Sequence, residues 1–294
     1  MVSRPRQLGG LAARYLLLLV LAAAMLLPFA ELYVGALRTA AERFARPPVF
    51  WPAEPQWGVF RRVFAELPFL AWTLNSLIVT VSITALQLLT SAAAGFALAK
   101  YRFRGRELLL RSVVAAQIVP FFLFLIPMFF ILRYWPLAGG NDLLGQGGTG
   151  LLNTYAALIL PFAVSWYGVF MLRQYLLGIP DELLDAARID GASELRIFFA
   201  IVLPLARPAL LTLGLFVFIY HWNEFLWTTT VTRTAPELQT LPVGIYLLRS
   251  AFETPSGEAL RQAALALSAL PLIFLFVPLQ RFYTQGYFAS GVRG

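Results

Sequence analysis

The chain has no cysteine, one histidine and one lysine among its 294 residues. Without cysteine there are no disulfides, thiolate nucleophiles or cysteine-based metal centres. His221 is the sole imidazole, so a histidine cluster for a metal is impossible, and a Ser-His-Asp machine would have to rest on that one residue. Lys100, the sole lysine, follows Ala99, so the Gly-Lys-Ser/Thr end of a phosphate loop occurs nowhere. The stretch LAGGNDLLGQGGTG at 137–150 is therefore no nucleotide loop and reads as a flexible, glycine-rich outer loop. The chain carries no Walker-type ATPase site of its own. Charge is also scarce: 13% of residues are Asp, Glu, Lys or Arg, about half the share in a soluble domain.

What is abundant is apolar sequence, at 59% of residues. A membrane helix needs about 20 mostly apolar residues to cross a core of roughly 30 Å. Six runs qualify, at approximately 11–32, 73–99, 108–132, 153–177, 208–230 and 261–283. The first follows Arg4 and Arg6 as a signal peptide would. Its apolar stretch continues from Tyr15 past Glu31 to Leu37, however, longer than the 7–15 residues typical of a signal core. An uncleaved anchor is expected. The net charge of +8 is almost all arginine, placed at the ends of apolar runs rather than in one patch, which fits membrane topology better than nucleic-acid binding.

With the N-terminus inside, 14 of the 23 basic residues fall on inner segments, among them KYRFRGRELLLR at 100–111. Arg38, Arg43, Arg46, Arg61 and Arg62 break the rule. They lie in a first outer loop rich in Pro and Trp (RPPVFWPAEPQW), expected to be a small extracytoplasmic structure. The expectation is an all-α integral membrane protein of six transmembrane helices with cytoplasmic N- and C-termini. Residues 1–70 hold the first helix and outer loop, 71–283 the remaining spans, and 284–294 a cytoplasmic tail.

One polar stretch stands out between apolar runs: IPDELLDAARIDGASELRIFFAIVLP, residues 179–204. Local signals predict two short helices joined by a turn. Asp181 can cap the first, and Glu182 suits the positive end of its dipole. That helix runs to about Asp190. Gly191 fits a left-handed position just beyond it, where other L-residues lose about 1–2 kcal/mol. Ser193 can cap the second helix, Glu194 sits in its first turn, Pro204 ends it, and Pro208 opens the next span. The first helix is about 14 Å long and marginal alone in water, so something must dock against it. Leu183, Ala186, Ala187 and Asp190 recur at i, i+3, i+4, i+7 as one stripe with two small residues, and Asp185 lies at its edge. Ile197, Phe198, Ile201 and Val202 of the second helix are expected to pack under the bundle. Local physics leaves two readings open. One is a pair of interfacial helices closed by an Asp185–Arg188 contact worth a few tenths of a kcal/mol; the other is a docking element for a partner.

DAARIDGASELRIFFAIVLP resembles the EAA motif of ABC-importer permeases, whose elements fall here on Asp185, Ala186, Ala187, Gly191, Ile201, Leu203 and Pro204. NSLIVT and ALAKYRFRGR in the second span, WNEFLW in the fifth, LPVG after it and LQRFYTQGYFASGVRG near the end are similar to the carbohydrate-uptake, maltose-type branch. The resemblance covers nearly the whole chain from about residue 70. It implies a type I permease fold and no enzymatic activity. It makes the first short helix, within a loop at 178–207, a coupling helix seated in a cleft of a cytoplasmic ATPase subunit. It implies a second homologous permease subunit, two such ATPase subunits that bind ATP-Mg, an extracytoplasmic solute-binding protein, and a carbohydrate as substrate. A polyol or a glycerol phosphate is the alternative. The family's usual glutamate is Asp185 here, shorter by about one C–C bond, roughly 1.5 Å.

In the fifth run, Tyr220, Asn223, Glu224 and Trp227 fall at i, i+3, i+4, i+7 and are expected on one helical face. Aromatic rings and polar groups together suit a sugar in a translocation path or gate. The alternative is structural: Trp222 and Trp227 in an outer interfacial belt, Asn223 and Glu224 bonded to neighbouring helices. The resemblance, which implies that the sister subunit chiefly holds the sugar, favours the latter. His221 is expected to be packed and hydrogen-bonded rather than a proton relay. In APELQTLPVGIYLLRSAF, Pro242 and Gly244 are expected to interrupt a helix that is either interfacial or part of an outer gate. A secondary transporter or intramembrane enzyme would call for several midplane acids or a catalytic pair, and Glu224 is the only clear acid well inside a span.

Overall fold

The computed structural model describes residues 4–43, 45–251 and 255–291, and every regular element among them is helical. In chain order these are α1 (Arg4–Leu37), α2 (Ala40–Arg43), α3 (Gly58–Glu66), α4 (Phe69–Lys100), α5 (Arg106–Ala116), α6 (Leu125–Arg133), α7 (Tyr155–Ile159), α8 (Trp166–Leu177), α9 (Asp181–Ile189), α10 (Glu194–Ile197), α11 (Leu203–Leu205), α12 (Arg207–Trp222), α13 (Leu226–Val231), α14 (Leu241–Ala251) and α15 (Pro255–Gly291). Three segments are long and apolar enough to cross a membrane unbroken: Ala13–Leu37, Phe69–Lys100 and Gly257–Gln280. Three further spans come only as bent helix pairs, giving up to six. The chain divides into two compact units, Met1–Leu70 with Ile245–Leu270, and Ala71–Gly244 with Pro271–Gly294.

In the first unit, the leucines of the α1 span are exposed, which a helix tolerates in lipid because its backbone bonds are internal. Near its end, Tyr33 Oη donates to the Ala266 carbonyl at 3.0 Å. The outer segment is folded, as expected. Glu42 accepts the Thr39 and Ala53 N–H groups at 2.9 and 2.7 Å, and Val59 and Val63 of α3 are buried. Arg43 reaches the Gly35 and Arg38 carbonyls, both at 3.1 Å.

The second unit is organised on α4. Asn75, Ser76, Thr80, Gln87 and Ser91 are buried along this otherwise apolar helix. At membrane depth no water is at hand for backbone groups freed where a helix breaks. Side chains of α4 supply the missing bonds. Gln87 donates to the Phe162 carbonyl at 2.7 Å and Thr90 to that of Ala163 at 2.8 Å, both at the break in the fourth span. Asn75 donates to the Glu237 and Gln239 carbonyls at 2.7 and 2.9 Å and accepts from the Tyr155 hydroxyl at 2.6 Å. Ser76 accepts the Leu241 N–H at 2.8 Å. One end of α4 therefore gathers Tyr155 and 237–241. The other gathers the 179–194 loop, through Lys100 and Tyr101.

Several expected helices differ. The run at 108–132 is two helices bent by 98°, with the break at residues 117–120; Pro120 lacks an N–H, and its ring biases the preceding residue away from helix. The run at 153–177 bends by 43°. There Thr154 caps α7 and Ser165 caps α8, through Ala157 N–H at 3.2 Å and Gly168 N–H at 3.0 Å. The run at 208–230 ends at Trp222 and restarts at Leu226. Pro204 lies one residue before the end of the second loop helix: turns run to Leu205 through a π-helical segment at Phe198–Val202, and the chain then bends by 77° into α12. Pro242 and Gly244 do not interrupt α14. Pro242 stands in its first turn, where a missing N–H does no harm, and Gly244 lets the Trp72 ring approach to where a Cβ would meet it at 2.1 Å.

The 137–150 loop is not loose. Asn141 is buried, donates to the Arg133 and Trp135 carbonyls at 2.9 and 3.0 Å and accepts the Gly148 N–H at 2.8 Å. Asp142 accepts the Leu144 and Gln146 N–H groups, both at 2.8 Å. Its glycines serve close approach: a Cβ on Gly145 would lie 2.1 Å from the Tyr134 carbonyl oxygen.

Candidate functional site

The polar loop folds as two short helices and a turn. α9 ends at Ile189 with Asp190 as its C-cap, and Gly191 follows at φ +83°. Gly191 N–H bonds the Arg188 carbonyl at 3.0 Å and Ala192 N–H that of Ala187 at 2.9 Å, the paired bonds of a Schellman turn. A Cβ on Gly191 would meet nothing within 4 Å, so the backbone angle, not space, requires glycine. Ser193 caps α10 by accepting the Arg196 N–H at 3.3 Å. Ile197, Phe198 and Val202 are buried and Ile201 packs against them, as expected.

One local reading needs correction. Asp181 is the first helical residue, not a cap; its carboxylate pairs with Lys100 Nζ at 2.6 Å instead. The stripe Leu183, Ala186, Ala187, Asp190 is exposed at three of its four positions, and only Ala187 turns to the core. Leu184 is buried and Ala187 packs beside it on the core. Leu183 lines a cleft of about 360 Å³ with Tyr175, Gly178, Ile179, Pro180 and Leu205. The outward face holds Glu182, Asp185, Ala186, Ile189 and Asp190. Ile189, which the periodicity did not single out, is an apolar side chain 86% exposed.

Residues at other positions of the 179–204 stretch and at the end of α4 hold this helix. Arg188 Nη1 donates to Asp185 at 2.7 Å, and its Nε donates to Glu194 at 2.7 Å. Glu194 also accepts the Tyr101 hydroxyl. Lys100 Nζ donates to the Ile179 carbonyl beside its pair with Asp181. Hydrogen bonds from Lys100 and Arg188 hold the Asp181 and Glu194 carboxyls below their ordinary values. Carboxyls depressed in the folded state contribute stability above their unfolded values and lose it as pH falls through the folded ones. The links therefore persist across neutral pH and loosen only in acid, below the ordinary carboxylate range.

In the fifth span the expected face does not exist. Asn223 and Glu224 lie in the break, with Asn223 Nδ2 donating to the Ile219 carbonyl at 2.7 Å. Glu224 points along the chain and caps the restart. Its carboxylate accepts Trp227 N–H at 2.6 Å, Thr228 N–H at 3.0 Å and the Thr228 hydroxyl at 2.8 Å. Trp227 is fully buried, with its indole N–H on the Ala157 carbonyl at 2.9 Å. Trp222 is buried as well, so neither tryptophan belongs to an interfacial belt. Tyr220 is 59% exposed and Asn223 is exposed. The helix breaks at 117–120, 163–165 and 223–225 converge on one aromatic cluster: Phe162 lies 5.1 Å from Phe121, 6.3 Å from Trp227 and 4.9 Å from His221 between ring centroids. His221 is buried and its Nε2 lies 3.2 Å from Gln87 Nε2. Gln87 also donates to Phe162, so the contact makes Nε2 of His221 the acceptor: a packed histidine, as expected.

Bent and broken apolar helices, with a short exposed helix between two of them, fit a membrane permease. The chain belongs to the family of binding-protein-dependent transport system inner membrane components, whose model matches residues 88–288. It is 34% identical to the arabinooligosaccharides transport system permease protein AraQ of Halalkalibacterium halodurans, over 91% of each chain. It is 31% identical to the sulfoquinovosyl glycerol transport system permease protein SmoH of Agrobacterium fabrum, over 97% of this chain and 95% of that one. The same fold occurs in the crystal structure of a bacterial ABC transporter involved in the import of the acidic polysaccharide alginate. The match has a TM-score of 0.77 at 23% identity and covers 96% of this chain and 99% of that one.

Proposed function

We propose that this chain is one permease subunit of an ATP-binding-cassette importer of the inner membrane and moves a carbohydrate. It performs no bond chemistry. It works with a second permease subunit, with a solute-binding protein that delivers the sugar, and with two cytoplasmic ATPase subunits that hold ATP-Mg. The loop end of the second unit faces the cytoplasm, in keeping with the arginine-rich segments gathered there.

The observation that carries the reading is α9: a nine-residue helix with one fully buried side chain, Leu184, and an outward face ending in exposed Ile189. Such a helix has little reason to persist without a partner. Leu183, Asp185, Ala186, Ala187, Asp190 and Gly191 form or shape this contact. Asp185 and Ala186 face the ATPase, Ala187 and Leu183 seat the helix, and Asp190 and Gly191 set its end. As the ATPase subunits close, α9 is carried along and the bundle passes between two discrete packings. In the fifth span, Glu224 and Trp227 hold a gate by fixing the restart at Leu226, while exposed Tyr220 and Asn223 face the path. The relatives named for arabinooligosaccharides and sulfoquinovosyl glycerol support a sugar or sugar-derived substrate.

Affinity purification of the tagged chain from its native membrane, followed by mass spectrometry, should recover an ATPase subunit and a second permease. Asp185→Lys should lower both ATPase recovery and sugar uptake several-fold. Full recovery and uptake in that variant would remove Asp185 from the contact.

A further inference from the structure

Two consecutive residues at the cytoplasmic end of α4 hold opposite ends of the docking helix. Lys100 takes the start of α9, through the Ile179 carbonyl and the Asp181 carboxylate. Tyr101 takes its end, through Glu194, which is paired with Arg188 at the last turn of α9. Arg188 extends the chain of contacts to Asp185 on the outward face. We propose that Lys100, Tyr101 and Arg188 are positioning residues that fasten the docking helix to α4 at both ends, so that α9 and the second span move as one piece.

Three observations support this. The apolar grip on α9 is thin, with Leu184 its only buried residue, and one such anchor leaves a short helix free to pivot. Two polar clamps at opposite ends remove that freedom. The Lys100 side chain is only 6% exposed, and a buried ammonium requires partners. Here both partners belong to the start of α9. Finally, α4 makes the bonds that satisfy the broken fourth span and the 237–241 segment. A displacement delivered to its cytoplasmic end therefore reaches the backbone around the breaks through a single rigid helix. Neither Lys100 nor Tyr101 lies on the outward face of α9, so their work is transmission rather than docking.

The inference rests on the coupling reading and is tested in the assembled importer, reconstituted with its ATPase subunits and binding protein. Tyr101→Phe removes one hydroxyl, and Lys100→Met removes the ammonium while keeping an unbranched stem. ATPase retention, binding-protein-stimulated ATP hydrolysis and sugar moved per ATP hydrolysed are measured for each. The expected result is retention within about twofold of wild type, with sugar moved per ATP falling about three- to tenfold, the range for a lost hydrogen bond to a charged group that is partly exposed. Lys100→Arg should restore most of the loss. Unchanged sugar per ATP in both variants would overturn the proposal. So would loss of the ATPase subunits in Tyr101→Phe, because the clamp would then merely build the docking surface. Failure of the coupling reading looks different: Asp185→Lys and Gly191→Val would then both keep their ATPase subunits and their uptake.

Discussion

The 178–207 loop and the fifth span each contain a helix that stops and restarts, and they do so by opposite means. In the loop the stop is Gly191 at φ +83° and the restart is capped by Ser193. In the fifth span the stop is Asn223 and the restart is capped by the Glu224 carboxylate, with neither Gly nor Pro in the break. The difference lies in what satisfies the restart. In the loop both residues of the cap are exposed and water can also satisfy the helix end, so a turn-forming residue suffices. In the fifth run a charged acceptor, which makes the stronger hydrogen bond, holds two freed N–H groups and a hydroxyl together.

The largest test of this contrast is Glu224→Ala. It leaves the Trp227 and Thr228 N–H groups and the Thr228 hydroxyl without their acceptor, an expected loss of about 2–3 kcal/mol. Thermal unfolding in nanodiscs should show it. Glu224→Gln keeps one acceptor oxygen and should lose less. Because the carboxylate is spent on the chain's own backbone, basal ATP hydrolysis without binding protein should rise in Glu224→Gln while preference among sugars stays the same. A changed preference with unchanged basal hydrolysis would make Glu224 a sugar contact instead.

Next in size is Gly191. A β-branched side chain at positive φ is strained by about 1–2 kcal/mol or more, so Gly191→Val should misplace α9 and lower ATPase recovery several-fold. Asparagine tolerates the left-handed region, and the space around Gly191 is open. Gly191→Asn should therefore stay within about twofold of wild type. Equal loss in both variants would mean that the site needs a missing side chain rather than a backbone angle, and the parallel with Glu224 would fail.

The same contrast explains how far the sequence could be read. Six apolar runs, the turn at Gly191, the Ser193 cap and the buried Ile197–Phe198 pair all follow from local rules, because each is a property of adjacent residues. The break at 117–120 has a local signal in Pro120 inside an apolar run; the break at 223–225 has none. The i, i+3, i+4, i+7 spacing of Tyr220, Asn223, Glu224 and Trp227 describes a helical face only if the helix continues, and Glu224 ends that continuity by bonding ahead along its own chain. The faces of α9 are only partly legible for a related reason: periodicity alone does not tell that Leu184 and Ala187 meet the core while Ile189 stands exposed. Lys100 and Tyr101 lie far in sequence from Asp181 and Glu194, and nothing local marks them as partners. The buried polar row of α4 carried a signal: NSLIVT and the polar residues after it, Gln87 and Thr90, sit at helical spacing in an apolar run, where polar groups seek bonds with other helices.

The smallest expected effect is at Ser193, and it shows how little the loop depends on its second cap. Losing a serine cap weakens a helix by about 0.5–2 kcal/mol. The bond to Arg196 N–H, at 3.3 Å, lies at the long end of useful geometry, and both residues are exposed. Water can replace the lost acceptor. α10 is also pinned by Ile197 and Phe198, exposed by 0% and 6%, and by the pair between Glu194 and Arg188. Ser193→Ala should therefore sit at the bottom of that range, about 0.5 kcal/mol. Hydrogen exchange at the Arg196 amide should quicken by about two- to threefold, with ATPase recovery and sugar uptake unchanged. A several-fold loss of uptake would show that the second helix depends on its cap as much as the first depends on Gly191, and the loop would then be a chain of local caps rather than a helix held from α4.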